Sequence, residues 1–406
     1  MARFSFQNLS KVSKVYDLVR ITHQALYLLF RNLVGNVLGL FFKLFGFRIG
    51  LINQSAIGHL TFDTEVNYLE SLEKRKQKRD LWYLFGNTTN QTISKFWTNQ
   101  LRASGNPLLL KIYSAIQPKV RFQSLILNRN IGAGDGTILD DHSQIFKFTE
   151  NQNMLARVFL EKIRIELAKP LILFCLRDNA YYKSRNDTEN ISLHSHRNVD
   201  VSEYIDSIMF FLSRGYSVVR MGRQVEKEIA IEHKNFIDLP FAKDFDVRTI
   251  GLGNREILEL ALFARCKFVI STGLGMDSLA TLFRKRVYLS DFYSLYNLYS
   301  SKLFPLFLPK GYFSVKEKRL LTPEEVFNST FLEAQKASEF ETHEIELVNC
   351  SKNQLLEFMS DIFNLESYGQ KPTLSKLALY HAEFISKHTF RSKPVPQLSD
   401  YWLNNI

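Results

Sequence analysis

Residues 254 to 291 read NREILELALFARCKFVISTGLGMDSLATLFRKRVYLSD. Ile257, Leu258, Leu260, Ala261 and Ala264 recur at helical spacing, and Asn254 is placed to cap that helix. Phe268-Val269-Ile270 is too short and too rich in β-branched side chains for a second helix and fits a central strand. Ser271-Thr272-Gly273-Leu274-Gly275 then turns the chain into another helix near Asp277 to Phe283. Backbone N–H groups, two hydroxyls and a helix start therefore converge at the carboxyl end of one strand, an arrangement suited to phosphate. The two glycines alone would equally suit a tight turn.

Two upstream segments end in the same way. Leu171 to Cys175 is a continuous apolar strand followed by Leu176-Arg177-Asp178-Asn179. Tyr216 to Val219 is another, followed by Arg220-Met221-Gly222. In an open parallel sheet these ends line one crevice, and arginine grips phosphate oxygens with a planar fork. The expected clamp is Arg177, Arg220 and the N–H groups of Gly273 to Met276.

Leu176-Arg177-Asp178-Asn179-Ala180-Tyr181, His196-Arg197-Asn198-Val199-Asp200 with Tyr204 after it, Gly215 to Gly222, and Cys266 to Gly275 occur in that order. Together they resemble the glycosyltransferases of bacterial surface-carbohydrate gene clusters, lipopolysaccharide, O-antigen and capsule among them. The resemblance runs from about Ile57 to Asn353, with Ile57-Gly58-His59-Leu60 as its amino-terminal anchor. The arginine after the first strand and the Ser-Thr-Gly loop are also distantly similar to fucosyltransferases and heptosyltransferases of the GT-B fold. The resemblance implies an α/β protein with two Rossmann-like doubly wound domains facing a cleft. It further implies a nucleotide-diphosphate sugar held by the carboxyl-terminal domain as a substrate, with no cofactor. Two segments depart from the pattern: Lys183 to His194 is long and polar, and Arg284-Lys285-Arg286 stands where such folds commonly turn through Gly-x-Pro.

Composition agrees with a chain of that size. The 406 residues are 45% hydrophobic and 23% charged, enough for two cores. Cys175, Cys266 and Cys350 are far apart and form no Cys-x-x-Cys pair, which argues against a zinc site or a disulfide scaffold and for a reducing compartment.

The net charge is +11, and much of the excess lies at the start: Arg3, Lys11, Lys14, Arg20, Arg31, Lys43 and Arg48 against Asp17 alone. Between Asp17 and Phe47 polar residues follow helical spacing among leucines, valines and phenylalanines. The apolar run from Leu33 to Phe47 is interrupted by Asn36 and Lys43 and falls short of the ~20 residues a bilayer-crossing helix needs. Residues 1–46 are expected to be an amphipathic segment on the anionic inner membrane surface of a cytoplasmic, peripheral protein. A helix pair packed on the first domain is the alternative. No zinc-finger spacing, ribonucleoprotein-type pattern or basic helix with heptads points to nucleic acid.

The expected domains are 47–168, a Rossmann-like acceptor domain, 169–330, the donor domain, and 331–406, a helical extension. Strands at Phe47 to Asn53 and Asp80 to Gly86 alternate with helices at Thr61 to Lys78 and Asn90 to Leu101. Thr149 with Gln152, Thr322 with Glu325, and Ser351 with Gln354 form capping boxes.

The chemistry anticipated is transfer of a hexosyl or deoxyhexosyl group to a lipid-linked or surface-glycan acceptor without a metal. Arg177, Arg220 and the loop would stabilise the leaving diphosphate, with Asp178 and Asn198 orienting Arg177 and Arg197. Met221, Gly222, Ser271, Thr272, Leu274 and Gly275 would line the site. Asp277 and Ser278 would cap the loop's helix or touch ribose. His59 is the candidate base, with Asp63 and Glu65 as rivals. Asp140-Asp141-His142 reads as a loop, and no metal site is expected; His194-Ser195-His196 is assigned no role. Alternatives are a nucleotide-sugar epimerase of the same fold and a non-catalytic nucleotide-sugar or glycan-binding subunit.

Overall fold

Leu171–Cys175 is buried at every position, as a strand can be only when both faces of its sheet are covered. The computed structural model describes residues 32–73, 79–127, 136–163, 166, 168–242, 251–293, 295, 298, 301–370 and 397–398. Its strands in chain order are β1 (Phe47–Asn53), β2 (Arg79–Phe85), β3 (Leu171–Cys175), β4 (Ser217–Arg220), β5 (Phe236–Asp238), β6 (Phe268–Ser271), β7 (Arg286–Phe292), β8 (Leu306–Pro309), β9 (Gly311–Ser314), β10 (Arg319–Leu320), β11 (Ile345–Val348) and β12 (Gln397–Leu398). The protein is mixed α/β with parallel sheets. The chain divides into two compact units, one within Met1–Asn53, Ser71–Gly86 and Trp97–Arg129, the other within Gln54–Glu70, Asn87–Phe96 and Asn130–Ile406.

In the smaller unit β1 and β2 pair in parallel from Phe47↔Arg79 to Asn53↔Phe85. Parallel bridges Ile49↔Ile126 and Tyr83↔Ser104 extend the pair on either side. Phe42, Ile49, Ile116, Phe122, Leu125 and Ile126 form its core. A helix over residues 32–45 supplies Phe42, and its Gly35 and Gly39 lie so close to the Ala115 carbonyl and the Phe122 ring that neither position has room for a Cβ. The opposite face of that helix is apolar and exposed: Leu33 is 63% accessible and Leu44 79%, and Val37, Leu40, Phe41 and Phe45 are exposed as well. The expected amphipathic segment thus both packs and presents an outward stripe where it is described; its part over residues 1–31 lies outside the described residues. Among those residues no helix is long and apolar enough to cross a membrane.

In the larger unit a parallel sheet has the order β12-β8-β7-β6-β3-β4-β5. Counted from β3, its first six strands lie in the sequence third, second, first, fourth, fifth, sixth, the order of a doubly wound dinucleotide-binding sheet. The chain winds outward to β5, returns to β6 beside β3, and winds the other way. Loops leaving β3 and β6 therefore diverge, and the sheet's natural binding crevice lies at their carboxyl ends.

Local chemistry explains the joints. All three expected capping boxes are present, opening helices Glu150–Lys162, Pro323–Phe327 and Lys352–Tyr368. The helix before β6 is Leu252–Arg265 and starts after Gly251 at φ 76°, so Asn254 lies in its first turn rather than at the cap. Glu256 on that helix accepts from the N–H groups of Gln91 and Thr92, both at 3.0 Å. Arg284 turns the chain with φ 54°, a conformation glycine usually supplies. Its guanidinium is held by the carbonyls of Thr281, His142 and Ser143 and by Glu65 at 2.9 Å. Asp140 and Asp141 belong to a short helix, Ile138–Asp141, not a loop, and Asp140 accepts from Ser301 and the Lys302 N–H. The Gly132 to Gly136 turn and the tail from Pro372 fall largely outside the described residues.

Candidate functional site

The registers Phe174↔Ile270 and Cys175↔Ser271 place the carboxyl ends of β3 and β6 side by side. Just past them Arg177 donates its backbone N–H to Thr272 Oγ1 at 3.0 Å, and Thr272 donates its own to the Cys175 carbonyl at 3.1 Å. The two loops are thereby tied into one edge.

The Ser-Thr-Gly loop directs most of its polar groups inward. Ser271 donates to Asp277 Oδ2 at 2.8 Å and accepts from the Gly273 N–H at 3.1 Å; the Leu274 N–H also donates to Asp277 Oδ2, at 3.1 Å. Asp277 is a buried clasp within the loop and makes no side-chain cap on the helix Ser278–Leu282; burial pushes its carboxyl up to about 6, opposed by those hydrogen bonds. Ser278 donates to the Gly275 carbonyl and shares a short hydrogen bond with Thr61. Gly273 has φ 76°, and a Cβ there would run into the Phe292 ring at 2.7 Å, so the position excludes every side chain. Of the N–H groups expected to face phosphate, those of Gly273 and Leu274 are thus already engaged.

The outward chemistry lies on a ring of side chains from four segments. Arg177 approaches the Tyr182 ring at 5.5 Å, Tyr182 stacks on His194 at 5.9 Å, and His194 lies 6.5 Å from His196. His196 meets the edge of Tyr293 at 5.2 Å, and Arg197 lies over the other side of the circuit, 4.4 Å from the Tyr293 centroid. Arg197 also donates to the Gly273 carbonyl at 2.8 Å. The Nε atoms of Arg177 and Arg197 are buried and have no hydrogen-bond partner. Burial, and then the charge of Arg197, hold the Arg177 guanidinium below its usual value. Lys310 adds a third cation, 1% exposed and brought down to about 8, chiefly by burial. It donates to the Asn198 carbonyl at 2.7 Å and to Asn349 Oδ1 at 2.6 Å.

Tyr293 owes its place to an irregular strand end. The register of β7 against β8 shifts between Leu289 and Phe292, and Asp291 adopts φ 48°. Tyr204 donates to Asp291 Oδ2 at 2.7 Å and the Cys350 N–H to Oδ1 at 2.6 Å, which holds the left-handed residue in place. Such bulges re-aim side chains beside functional sites. Here the following residues become the Phe292 wall behind Gly273 and the Tyr293 platform under Arg197.

Arg220 lies at the same sheet edge but faces inward. It is the last residue of β4, fully buried, and donates to Asp238 at 3.2 Å and to the Lys227 carbonyl at 2.6 Å. Asp178 is 3.8 Å from Arg220 and accepts from the N–H groups of Ala180 and Glu226, so it shapes the loop after β3 rather than orienting Arg177. Met221 is buried, with its N–H on the Phe174 carbonyl, and the Gly222 carbonyl is taken by Arg255.

No protein-family model and no curated protein matches the chain. Among solved structures it is similar to the glycosyl transferase family 9 protein from Veillonella parvula, with 9% identity over 60% of this chain and 81% of that one and a TM-score of 0.36. The E. coli ADP-heptose lps heptosyltransferase II is 12% identical over 60% and 84%, with a TM-score of 0.31. The heptosyltransferase TibC, solved in complex with ADP-D-beta-D-heptose, is 14% identical over 79% and 78%, with a TM-score of 0.31.

His59 lies in the same unit, on a wide π-type turn, His59–Asp63. Its Nδ1–H donates to Asp63 Oδ2 at 2.5 Å, and that bond raises the imidazole above its ordinary value while burial opposes it. The turn is anchored beside the Ser-Thr-Gly loop: Thr61 bonds Ser278, and a Cβ on Gly275 would come within 3.2 Å of the Gly58 nitrogen. Glu65 is fully buried against Arg284. Its carboxyl is raised, chiefly by burial, with Arg284 opposing.

Sequence reading missed Lys310, Tyr182 and Tyr293 and gave His194 and His196 no role. Of these, His194 closes the polar stretch Lys183 to His194 that departs from the family pattern, Tyr182 immediately precedes that stretch, and His196 opens the His196-Arg197-Asn198 motif.

Proposed function

We propose that the protein is a glycosyltransferase that binds a nucleotide-diphosphate sugar at the carboxyl edge of β3 and β6 and transfers its sugar to a lipid-linked or surface-glycan acceptor. One observation carries the reading: Arg177 and Arg197, two guanidinium groups with buried, unpartnered Nε atoms, meet at the point where the sheet reverses its winding. Cations desolvated side by side repel each other, and a diphosphate would relieve that repulsion while satisfying their donors. The sequence motifs that resemble surface-carbohydrate glycosyltransferases include both arginines.

Departure of a nucleoside diphosphate builds charge on its β-phosphate. On this reading Arg177 and Arg197 receive that charge, with Lys310 adding positive potential from behind Asn198, and no metal is required for the task. Thr272 fixes the backbone of Arg177, and Gly273 fixes Arg197 through its carbonyl. His59 accepts the proton of the acceptor hydroxyl, and Asp63 holds its ring in the tautomer that leaves Nε2 free. Glu65 is a structural partner of Arg284.

The exposed stripe of the 32–45 helix supports a cytoplasmic enzyme peripheral to an anionic inner membrane, where a lipid-linked acceptor would lie. An amphipathic helix with an apolar outer face and an exposed lysine, Lys43, suits that surface.

The test is product analysis with purified protein, a panel of nucleotide sugars and a lipid-linked acceptor extract. Acceptor-dependent release of nucleoside diphosphate together with a glycosylated lipid supports the reading. Conversion of donor to an isomer without acceptor indicates the epimerase, and donor binding without turnover under every acceptor indicates the silent subunit.

A further inference from the structure

We propose that His194 and His196 are proton-accepting members of the anion site, each taking a proton from solvent when a phosphate-bearing ligand enters and then donating a hydrogen bond toward it. The inference rests on the donor-site reading above and deepens it. Its basis is placement: the two rings close the circuit Arg177, Tyr182, His194, His196, Tyr293, Arg197. The Nδ1 of His194 and both ring nitrogens of His196 are buried without a hydrogen-bond partner. Buried polar atoms of this kind are rare, and a cluster of them beside two guanidinium groups whose Nε atoms also lack a partner marks a place a ligand completes.

Burial first, and the surrounding charges after it, keep the rings unprotonated. His194 is held down to about 4 by burial, then by Arg197, Arg177 and Lys336, with Asp187 opposing. His196 is held down to about 3 by burial, then by Arg197, His194, Lys310 and Arg177; Glu339 is a carboxylate close enough to interact with its charge. A dianion between the arginines offsets the charge contribution to these low values and offers an acceptor for the ring N–H groups, so the bound-state values rise although burial still opposes them. Groups with higher values in the complex than in the free protein make binding tighter as pH falls toward the free values, by up to about tenfold per pH unit for each group. Three other groups near the site bear on the same range: Asp277, raised to about 6, Lys310, lowered to about 8, and His59, raised above its ordinary value by Asp63.

Sulfate is the probe, because its charge is fixed across the working range and any pH dependence belongs to the protein. Calorimetric titration of the full chain at pH 5.0, 6.0 and 7.0 is expected to show affinity rising at least about tenfold from pH 7.0 to 5.0. His194→Gln and His196→Gln should each flatten the rise, and the double variant should abolish most of it. In the unmodified protein, the imidazole ring signals should titrate at higher pH with sulfate than without, which needs no variant to fold. Arg177→Ala checks the site itself and should remove binding. A flat profile with that control intact overturns the histidine role alone. Retention of the full slope in the double variant does the same by assigning the proton to Asp277 or His59. Binding untouched by Arg177→Ala, or absent at pH 5.0, overturns both this inference and the clamp beneath it.

Discussion

Arg177 and Thr272, 95 positions apart in the chain, are joined by a 3.0 Å hydrogen bond from the arginine's backbone N–H to the threonine's hydroxyl. It spans the two strands at which the sheet reverses direction. A hydroxyl that sequence alone would assign to phosphate instead fixes the loop that carries the guanidinium.

Thr272→Val should therefore act on the arginine rather than on phosphate directly. It leaves a buried N–H without an acceptor, at about 1–3 kcal/mol of stability. Weaker nucleoside-diphosphate binding should accompany the lower melting temperature. Thr272→Ser, which keeps the acceptor, should restore most of both.

His59→Ala should lower turnover at saturating donor by about 100-fold or more with donor affinity nearly unchanged. Asp63 raises the imidazole, and a base works only when deprotonated. The acid limb of the kcat profile should accordingly lie above the ordinary histidine value of ~6.5 and move to lower pH in Asp63→Asn. The same pair contributes stability that is complete below the unfolded histidine value and is lost as pH rises through the raised folded one. Thermal melting across pH 6 to 9 should show that loss in the parent protein and not in Asp63→Asn.

Asp277 gives the opposite sign from a salt-bridged carboxylate. Its folded value, about 6, lies above the ordinary aspartate value. The folded state thus holds this proton more tightly, and stability gained from it grows as pH falls through 6 toward 4. Asp277→Asn keeps an acceptor for Ser271 and the Leu274 N–H, so it should fold well at pH 7 and lose that part of the gain. Melting curves of the two proteins at pH 7, 6 and 5 make the comparison.

Val37→Glu with Leu44→Glu should weaken co-sedimentation with vesicles rich in phosphatidylglycerol by about tenfold or more, since each buried aliphatic side chain is worth about 1.5–3 kcal/mol. Both residues face outward from the 32–45 helix, so melting behaviour should hardly change. Equal sedimentation of the double variant and the parent would remove the membrane role from this face.

The sheet was legible because β3, β4 and β6 are buried at every position and so carry short apolar cores, Leu171 to Cys175, Val218-Val219 and Phe268 to Ile270. Arg177 and Arg220 looked alike for the same reason: each closes such a run. What separates them is Asp238 at the end of β5, which pairs with Arg220 Nη1, whereas among the described residues no carboxylate pairs with the Arg177 side chain. That contact depends on strand order, which a local reading does not contain. The hydroxyls of Ser271 and Thr272 were found for their position, but their partners Asp277 and Arg177 are set by tertiary geometry. Tyr293 was invisible because it is aimed by the bulge at Asp291, which no periodicity signals. Lys310 follows an apolar strand and reads as an ordinary surface lysine until its burial is seen.

The account stands on the two guanidinium groups at the β3 and β6 edge. Calorimetric titration of a panel of nucleoside diphosphates into the parent protein, Arg177→Ala and Arg197→Ala tests it most directly. At least one nucleotide should bind the parent, and each substitution should weaken it by about 10- to 150-fold, the value of one charge-assisted hydrogen bond. Equal affinity for the parent and both variants would contradict the account.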